Sequence, residues 1–340
     1  MKLMRTEDAV GQVLCHDITQ IIKGVTKDAV FRKGHIITEE DIPVLLSVGK
    51  DHIYIWENNE NMLHENDAAK ILYDMCANKH MTPSEIKEGK IELIAECDGL
   101  LKVDTERLNA VNALGEMMIA CRHGNFPVKK GDKIAGTRII PLVIEKEKME
   151  RAKKAAGEKP IFELIPFKKM KAAIVNTGNE VFYGRIKDTF TPVIIEKLKE
   201  YGAEVVGHVV SDDNHEHITA AIQKFLDEGV DMVLCTGGMS VDPDDRTPLA
   251  IKNTGAEIVT YGAPVLPGAM FLLSYYGEKK RPVIGLPGCV MYAKRTIFDL
   301  VLPRIVAGEI LKKADIDTLG EGGLCLNCPV CTFPNCGFGK

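Results

Sequence analysis

The chain has 340 residues, of which 45% are apolar, 27% charged and 6% aromatic. That is too long for one ordinary core, so two domains and an appendage are expected. A formal net charge of -5 gives no basic face, which argues against nucleic acid or anionic lipid and for a small ligand held locally. No apolar run approaches bilayer-spanning length and the opening residues lack a leader-like apolar stretch, so the expectation is a cytoplasmic protein.

Residues 1–144 read as a smaller, β-rich α+β domain. Short strand-like runs, "ITQIIKGV", "VFRKGHIIT" and "DHIYIWE", are punctuated by turn glycines. Between the last two, "TEEDIPVLLSVG" predicts a short helix capped by Thr38 and stopped by Gly49. The amphipathic stretch "TERLNAVNALGEMMIA" predicts a helix over 105–120. "VKKGDKIAGTRIIPLVIE" then returns to strands and turns, with Lys129, Lys130 and Lys133 on a solvated hairpin rim. Residues 145–169, opening with "EKEKMERAKKAAGEKP", show no broad apolar face and read as a solvated helical linker.

Residues 170–310 have a different texture. "MKAAIVNTG", "AEVVGHVV" and "DMVLCTGG" are apolar strands that alternate with the helices "PVIIEKLKEYG" and "HITAAIQKFLDEG", a pattern ending after "RTIFDLVLPRIVAG". Alternation of this kind predicts a three-layer α/β/α domain with a mostly parallel sheet buried on both faces. In such sheets ligands bind beyond the carboxyl ends of the strands. The loops "NTGNE" (176–180) and "CTGGMSVDPDD" (235–245) lie on that edge.

Gly237 and Gly238 permit a sharp turn and a close backbone approach to a ligand, and the helix that follows offers its positive end to an anion. Beside them stand Asp242, Asp244 and Asp245. Three carboxylates next to an anion site make electrostatic sense when a divalent cation sits between, and Mg²⁺ prefers one or two carboxylates plus phosphate oxygens. The ligand expected is a phosphate or pyrophosphate compound with Mg²⁺. The "DDNHEH" group at 212–217 reads as a helix cap by Asp213 or Asn214. Lys294 and Arg295 are either phosphate partners or helix-surface charge.

Four segments, "TGNEVFYGRIKD", "VSDDNHEHITAAI", "TGGMSVDPDDRTP" and "GLPGCVMYAKRTIFDLVLPRI", are similar in order and spacing to the molybdopterin-binding domain of the MogA/MoaB and MoeA proteins of molybdenum-cofactor biosynthesis. The resemblance covers about two fifths of the chain. It implies that Thr177, Gly178, Glu180, Asp188, Thr236, Gly237, Gly238, Ser240, Pro287 and Gly288 hold the cofactor. It also implies that Asp245 is the catalytic acid and that Asp242, Asp244 and Asp245 handle Mg²⁺. Molybdopterin would be ligand or substrate, ATP a co-substrate and a molybdoenzyme a partner, with adenylyl transfer or molybdenum transfer as the reaction. The chain departs from the MoeA pattern at "PGAM", where Ala269 replaces a lysine, and at "LPGCV", where Cys289 replaces an amide. Those losses favour the rival reading of a non-catalytic cofactor carrier or sensor. The competence-damage-type nucleotide pyrophosphatases also end a Gly-Gly loop in Asp-Asp-x-Thr and provide a further alternative. The Lys-Gly-rich strands of the first domain resemble small β-clip modules, which implies dimerisation or partner docking and hence a homo-oligomer.

Residues 311–340 form a cysteine-rich tail. Four of the ten cysteines, Cys325, Cys328, Cys331 and Cys336, make a C-x₂-C-x₂-C-x₄-C array. The first three match the bacterial ferredoxin run and the last gap is one residue longer. Either Zn²⁺ or a [4Fe–4S] cluster would be bound, and so compact an array suits the cluster better. The six scattered cysteines read as small buried hydrophobes.

Overall fold

The computed structural model describes residues 2–22, 26–55, 60–240, 242–243 and 245–340; Asp244 of the acidic loop therefore lies outside the described residues. Two compact units are present, one taking in residues 1–96, 103–122 and 131–163, the other 97–102, 123–130 and 164–340. No helix among the described residues is long and apolar enough to cross a membrane.

The first unit is built from antiparallel pairs. Lys2–Arg5 pairs with His52–Ile55, and Ile18–Ile22 with Thr26–Phe31. A four-stranded sheet orders Met81–Pro83, Lys90–Ala95, Lys133–Ile139 and Met117–Cys121. In Lys90–Ala95 the buried residues alternate as Ile91, Leu93 and Ala95, the period of a half-buried strand. Helix Glu65–Cys76, which the mixed apolar spacing of this region did not announce, buries Ala68, Ala69, Leu72 and Cys76. The short helix Asp41–Ser47 starts differently from the expectation: the Asp41 carboxylate accepts from the Thr38 N–H at 2.8 Å, so Thr38 is held rather than holding.

Two other expectations change. The helix predicted over 105–120 ends at Asn112, and Met117–Cys121 is a strand. Positive φ at Gly115 and Glu116 breaks the helix, and the Asn112 side chain bonds both Ile119 N–H and C=O to start the strand. The charged segment at 146–156 is helical, yet it is not a solvated rod. Met149, Ala152 and Ala156 are fully buried on a narrow stripe, and the helix belongs to the first unit.

The second unit contains the alternating βα region. Strands are β1 (Lys171–Thr177), β2 (Glu204–Ser211), β3 (Met232–Thr236), β4 (Glu257–Tyr261), β5 (Leu272–Tyr276) and β6 (Arg281–Leu286). They form one sheet in the order β2-β1-β3-β6-β5-β4. The β1–β2, β1–β3 and β3–β6 pairs are parallel, while β5 and β4 close one side antiparallel.

Helices cover both faces, as the continuous apolar strands require. Ala172 and Ile174 of β1 face a core shared with α2 (Phe190–Lys199) and α5 (Ile297–Ala307). Ala173 and Val175 face the other core, shared with α3 (His215–Asp227) and α4 (Thr247–Asn253). The single turn α1 (Asn179–Phe182) follows β1 directly. This is the three-layer α/β/α architecture, with β1 the strand from which the order runs in both directions. Such a strand opens a crevice at its carboxyl end.

The tail is part of this unit's packing. Leu311, Ile316 and Phe338 are buried in the core formed with α5, and α6 (Lys313–Asp317) opens the segment.

Candidate functional site

The crevice is made where parallel β1 and β3 end side by side. Thr236 Oγ1 donates to the Asn176 Oδ1 across the two strand ends at 2.8 Å. That fixes the amide's orientation and turns Nδ2 away as a donor. Asn176 is fully buried, and its side chain also helps to hold the Asp188 carboxylate ionised.

The Gly-Gly turn comes next. Gly237 and Gly238 both have positive φ, 84° and 55°. A Cβ on Gly237 would run into the Thr177 carbonyl, and one on Gly238 would lie 2.9 Å from Thr247 Oγ1, so the two loops touch backbone to backbone. Thr247, at the start of α4, is the latch. Its hydroxyl donates to the Gly237 carbonyl at 2.8 Å and sits 3.1 Å from Thr177 Oγ1. The Tyr261 hydroxyl donates to the Met239 carbonyl at 2.9 Å from the far side. Burial raises the Tyr261 phenol pKa, and the nearby Asp245 charge adds to the effect. Nothing in its strand pattern marked Tyr261 for this task; it becomes visible only when β4 is placed at the sheet edge.

Acidic groups arrive from three loops. Asp245 accepts the Ser240 N–H at 2.8 Å, and its own N–H donates to the Asp242 carbonyl at 2.9 Å, closing the loop on itself. Asp213 accepts the Asn179 N–H at 2.9 Å and so braces the "NTGNE" loop. Helix capping falls to Asn214, whose side chain accepts from Glu216 N–H. Burial pushes the Asp213 carboxyl upward, and the charges of Glu180, Asp245 and Asp212 push the same way. Asp213 was assigned only a capping role by the sequence, yet it stands at the centre of this negative field. The signal that could have found it is its place just after β2, on the same sheet edge as the other two loops.

Other residues of the expected set have different tasks. The Asp188 carboxylate accepts from Phe190 N–H, Thr191 N–H and Thr191 Oγ1, with His208 Nε2 3.4 Å away, which starts α2. Burial alone would raise its pKa, but the Thr191 bonds, aided by Asn176 and Phe190, hold it below the usual carboxylate range. Pro287 and Gly288 emerge beside the crevice because Leu286 pairs with Thr236. Burial pushes the Cys289 thiol up, so it stays protonated. Lys294 and Arg295 are engaged within the protein. Lys294 donates to the Cys328 and Pro329 carbonyls, and Arg295 pairs with Glu200 and Asp299. Among the described residues, no three His, Cys, Asp or Glu side chains converge closely enough to hold a metal ion.

Residues 173–307 match the family profile described as "Probable molybdopterin binding domain". The match covers about two fifths of the chain. Residues 3–57 match a second profile, described as a domain of unknown function. Among curated proteins, the chain is 28% identical over 163 residues to a molybdopterin molybdenumtransferase of Synechococcus elongatus, covering 45% of this chain and 38% of that one. It is 34% identical over 90 residues to a CinA-like protein of Mycobacterium avium, covering 26% of this chain and 21% of the relative. This chain thus spans well under half the length of either relative. A solved MoaB structure from Thermus thermophilus is 22% identical, with a TM-score of 0.33, covering 42% of this chain and 99% of that one. The matched segment contains every residue of the crevice just described, from Asn176 to Gly288.

Proposed function

We propose that the crevice binds molybdopterin, or its nucleotide-linked or metal-loaded form, with Mg²⁺ between the ligand's phosphate and the acidic loops. The observation that carries this reading is the Gly237–Gly238 turn, closed on the Thr177 carbonyl with no room for a Cβ where β1 and β3 end. The cradle there, Thr177, Gly178, Gly237, Gly238 and Ser240, offers backbone and the Ser240 hydroxyl to a phosphate. Descent from a family described as binding molybdopterin supports the same ligand.

The acids fit Mg²⁺. Asp213 has its pKa raised by burial together with Glu180, Asp245 and Asp212, so the field calls for a cation. Mg²⁺ requires only one or two protein carboxylates when phosphate supplies the rest, so a three-acid cluster is not needed. When bound, Mg²⁺ would neutralise phosphate charge. Asp245, fixed through one oxygen by Ser240 N–H, presents the other to the ligand and acts as the main catalytic acid. Glu180 and Asp242 flank it, and Thr177 and Thr247 position the turn.

In the transferase reading, the protein moves an adenylyl group from ATP or a molybdenum atom onto the cofactor and then meets a molybdoenzyme partner. Calorimetry with molybdopterin, with and without Mg²⁺, tests binding, and single-turnover assays with ATP or molybdate test chemistry. Tight binding strengthened by Mg²⁺, with product lost in Asp245→Ala, supports the transferase. Tight binding without turnover leaves the carrier reading, which Ala269 and Cys289 favour by removing polar partners. No binding at all refutes both. The CinA-like relative favours a third activity, hydrolysis of a dinucleotide pyrophosphate without pterin, which the same protein can be assayed for directly.

A further inference from the structure

All four tail cysteines line one cavity of about 200 Å³, whose wall also carries Lys294 and Arg295. All four are free thiols; Cys328 and Cys331 are exposed, while Cys325 and Cys336 pack against the buried core. The protein itself holds the backbone that carries them. Leu266 and Leu324 form a parallel bridge, Cys325 N–H donates to the Leu266 carbonyl at 2.8 Å, and Asn335 N–H to the Thr332 carbonyl at 2.7 Å. On the opposite side, Lys294 Nζ donates to the Cys328 and Pro329 carbonyls at 3.0 and 2.7 Å. The Arg295 guanidinium lies 4.9 Å from the Phe333 ring centroid.

Spacing and the shared cavity separate the two candidate metals. A tetrahedral zinc with Zn–S bonds of about 2.3 Å needs sulfurs about 3.8 Å apart, closed on one point. Structural zinc sites more often pair two C-x₂-C knuckles across a longer loop, whereas these four cysteines lie within twelve residues and line one cavity. A cubane suits that arrangement, because it fills a volume and takes one thiolate on each of its four irons. Charge agrees as well. A cluster held by four thiolates is anionic, and the Lys294 ammonium, which contacts carbonyls rather than a carboxylate, stands on the wall of the cavity.

We propose that Cys325, Cys328, Cys331 and Cys336 bind one [4Fe–4S] cluster in this cavity. Four Fe–S(Cys) bonds form and the four thiol protons leave to solvent. Lys294 braces the cysteine loop through the Cys328 and Pro329 carbonyls. The cluster site stands apart from the crevice and does not depend on what the crevice binds.

The test uses the full chain, purified anaerobically and reconstituted with iron(III), sulfide and dithiothreitol. About four irons and four sulfides per chain and a broad absorption near 400 nm, bleached by dithionite, are expected. Cys328→Ser and Cys331→Ser, on the exposed loop, should each lose most of the iron while melting near the wild-type temperature. Cys121→Ser, an exposed cysteine of the other unit, should keep all of it. Lys294→Met should retain iron but lower the cluster's reduction potential, since a nearby positive charge favours the reduced form. A colourless protein holding about one zinc after reconstitution overturns the proposal, as does iron content indifferent to both serine variants.

Discussion

Thr177 Oγ1 lies 3.1 Å from Thr247 Oγ1, joining the two ligand-side loops through hydroxyls 70 residues apart. The Thr247 hydroxyl has one proton, and it is given to the Gly237 carbonyl at 2.8 Å. Thr177 must therefore be the donor in the pair. Replacement Thr247→Val keeps the shape but leaves both the Gly237 carbonyl and the Thr177 hydroxyl without their partner. A loss of about 1–3 kcal/mol is expected, measured by urea unfolding. Thr247→Ser should restore most of it. A valine variant as stable as wild type would show that the latch contributes nothing.

Gly237 makes a sharper demand. Its φ of 84° is costly for any side chain, and the Thr177 carbonyl occupies the place a Cβ would take. Gly237→Ala should therefore displace the turn from the crevice and weaken ligand binding at least tenfold, even where the domain remains folded. By contrast Gly184, also at positive φ but with open space around its Cβ position, should accept alanine with only a modest stability cost. Comparing the two by calorimetry with molybdopterin and by thermal melting separates strain from steric exclusion. Equal binding losses would refute the steric account.

Much of this was legible from the chain. Apolar runs such as "AAIV" and "MVLC" have no polar face to spare, so they could only be strands covered on both sides, and the glycine pair after Thr236 had to turn beyond the sheet edge. What stayed hidden depended on contacts distant in sequence. Asp213 looked like a helix cap because capping is local, whereas its bond to Asn179 N–H crosses between loops. Lys294 and Arg295 looked available to phosphate because nothing in their own segment shows that Pro329, Glu200 and Asp299 take them. In the charged helix at 146–156, three small or flexible buried residues, Met149, Ala152 and Ala156, were too narrow a stripe to register as a face.

Asp213 gives a pH dependence with a definite sign. Its pKa is raised in the folded state, so the folded chain holds a proton that the unfolded chain has already released. Stability should therefore fall as pH rises from the ordinary aspartate range through the raised value, and level off above it. Asp213→Asn should flatten that segment of the profile. Mg²⁺ should do likewise, because a cation among Glu180, Asp213 and Asp245 removes the repulsion. Within the same window, Mg²⁺ binding should release protons, detected as a buffer-dependent calorimetric heat. A profile unchanged by both the variant and the ion would mean that these acids do not share a field.

The buried ion network behind the crevice yields the last prediction. Lys197 Nζ donates to both Asp299 oxygens at 2.7 and 2.9 Å and to the Lys294 carbonyl at 3.1 Å, and Arg295 reaches the same carboxylate at 2.8 Å. Asp299 also receives the Thr296 N–H at 2.7 Å, completing the capping box that starts α5. Removing Asp299 strands the buried Lys197 cation and uncaps the helix together. Asp299→Ala should therefore cost about 3–5 kcal/mol. Lys197→Met leaves the aspartate paired with Arg295 and replaces the ammonium by a packed thioether, so it should cost distinctly less. In the double variant, the methionine should recover part of the alanine loss, since no buried charge is then unpaired. Additive losses would mean that Lys197 and Asp299 act separately, and the network account would fail.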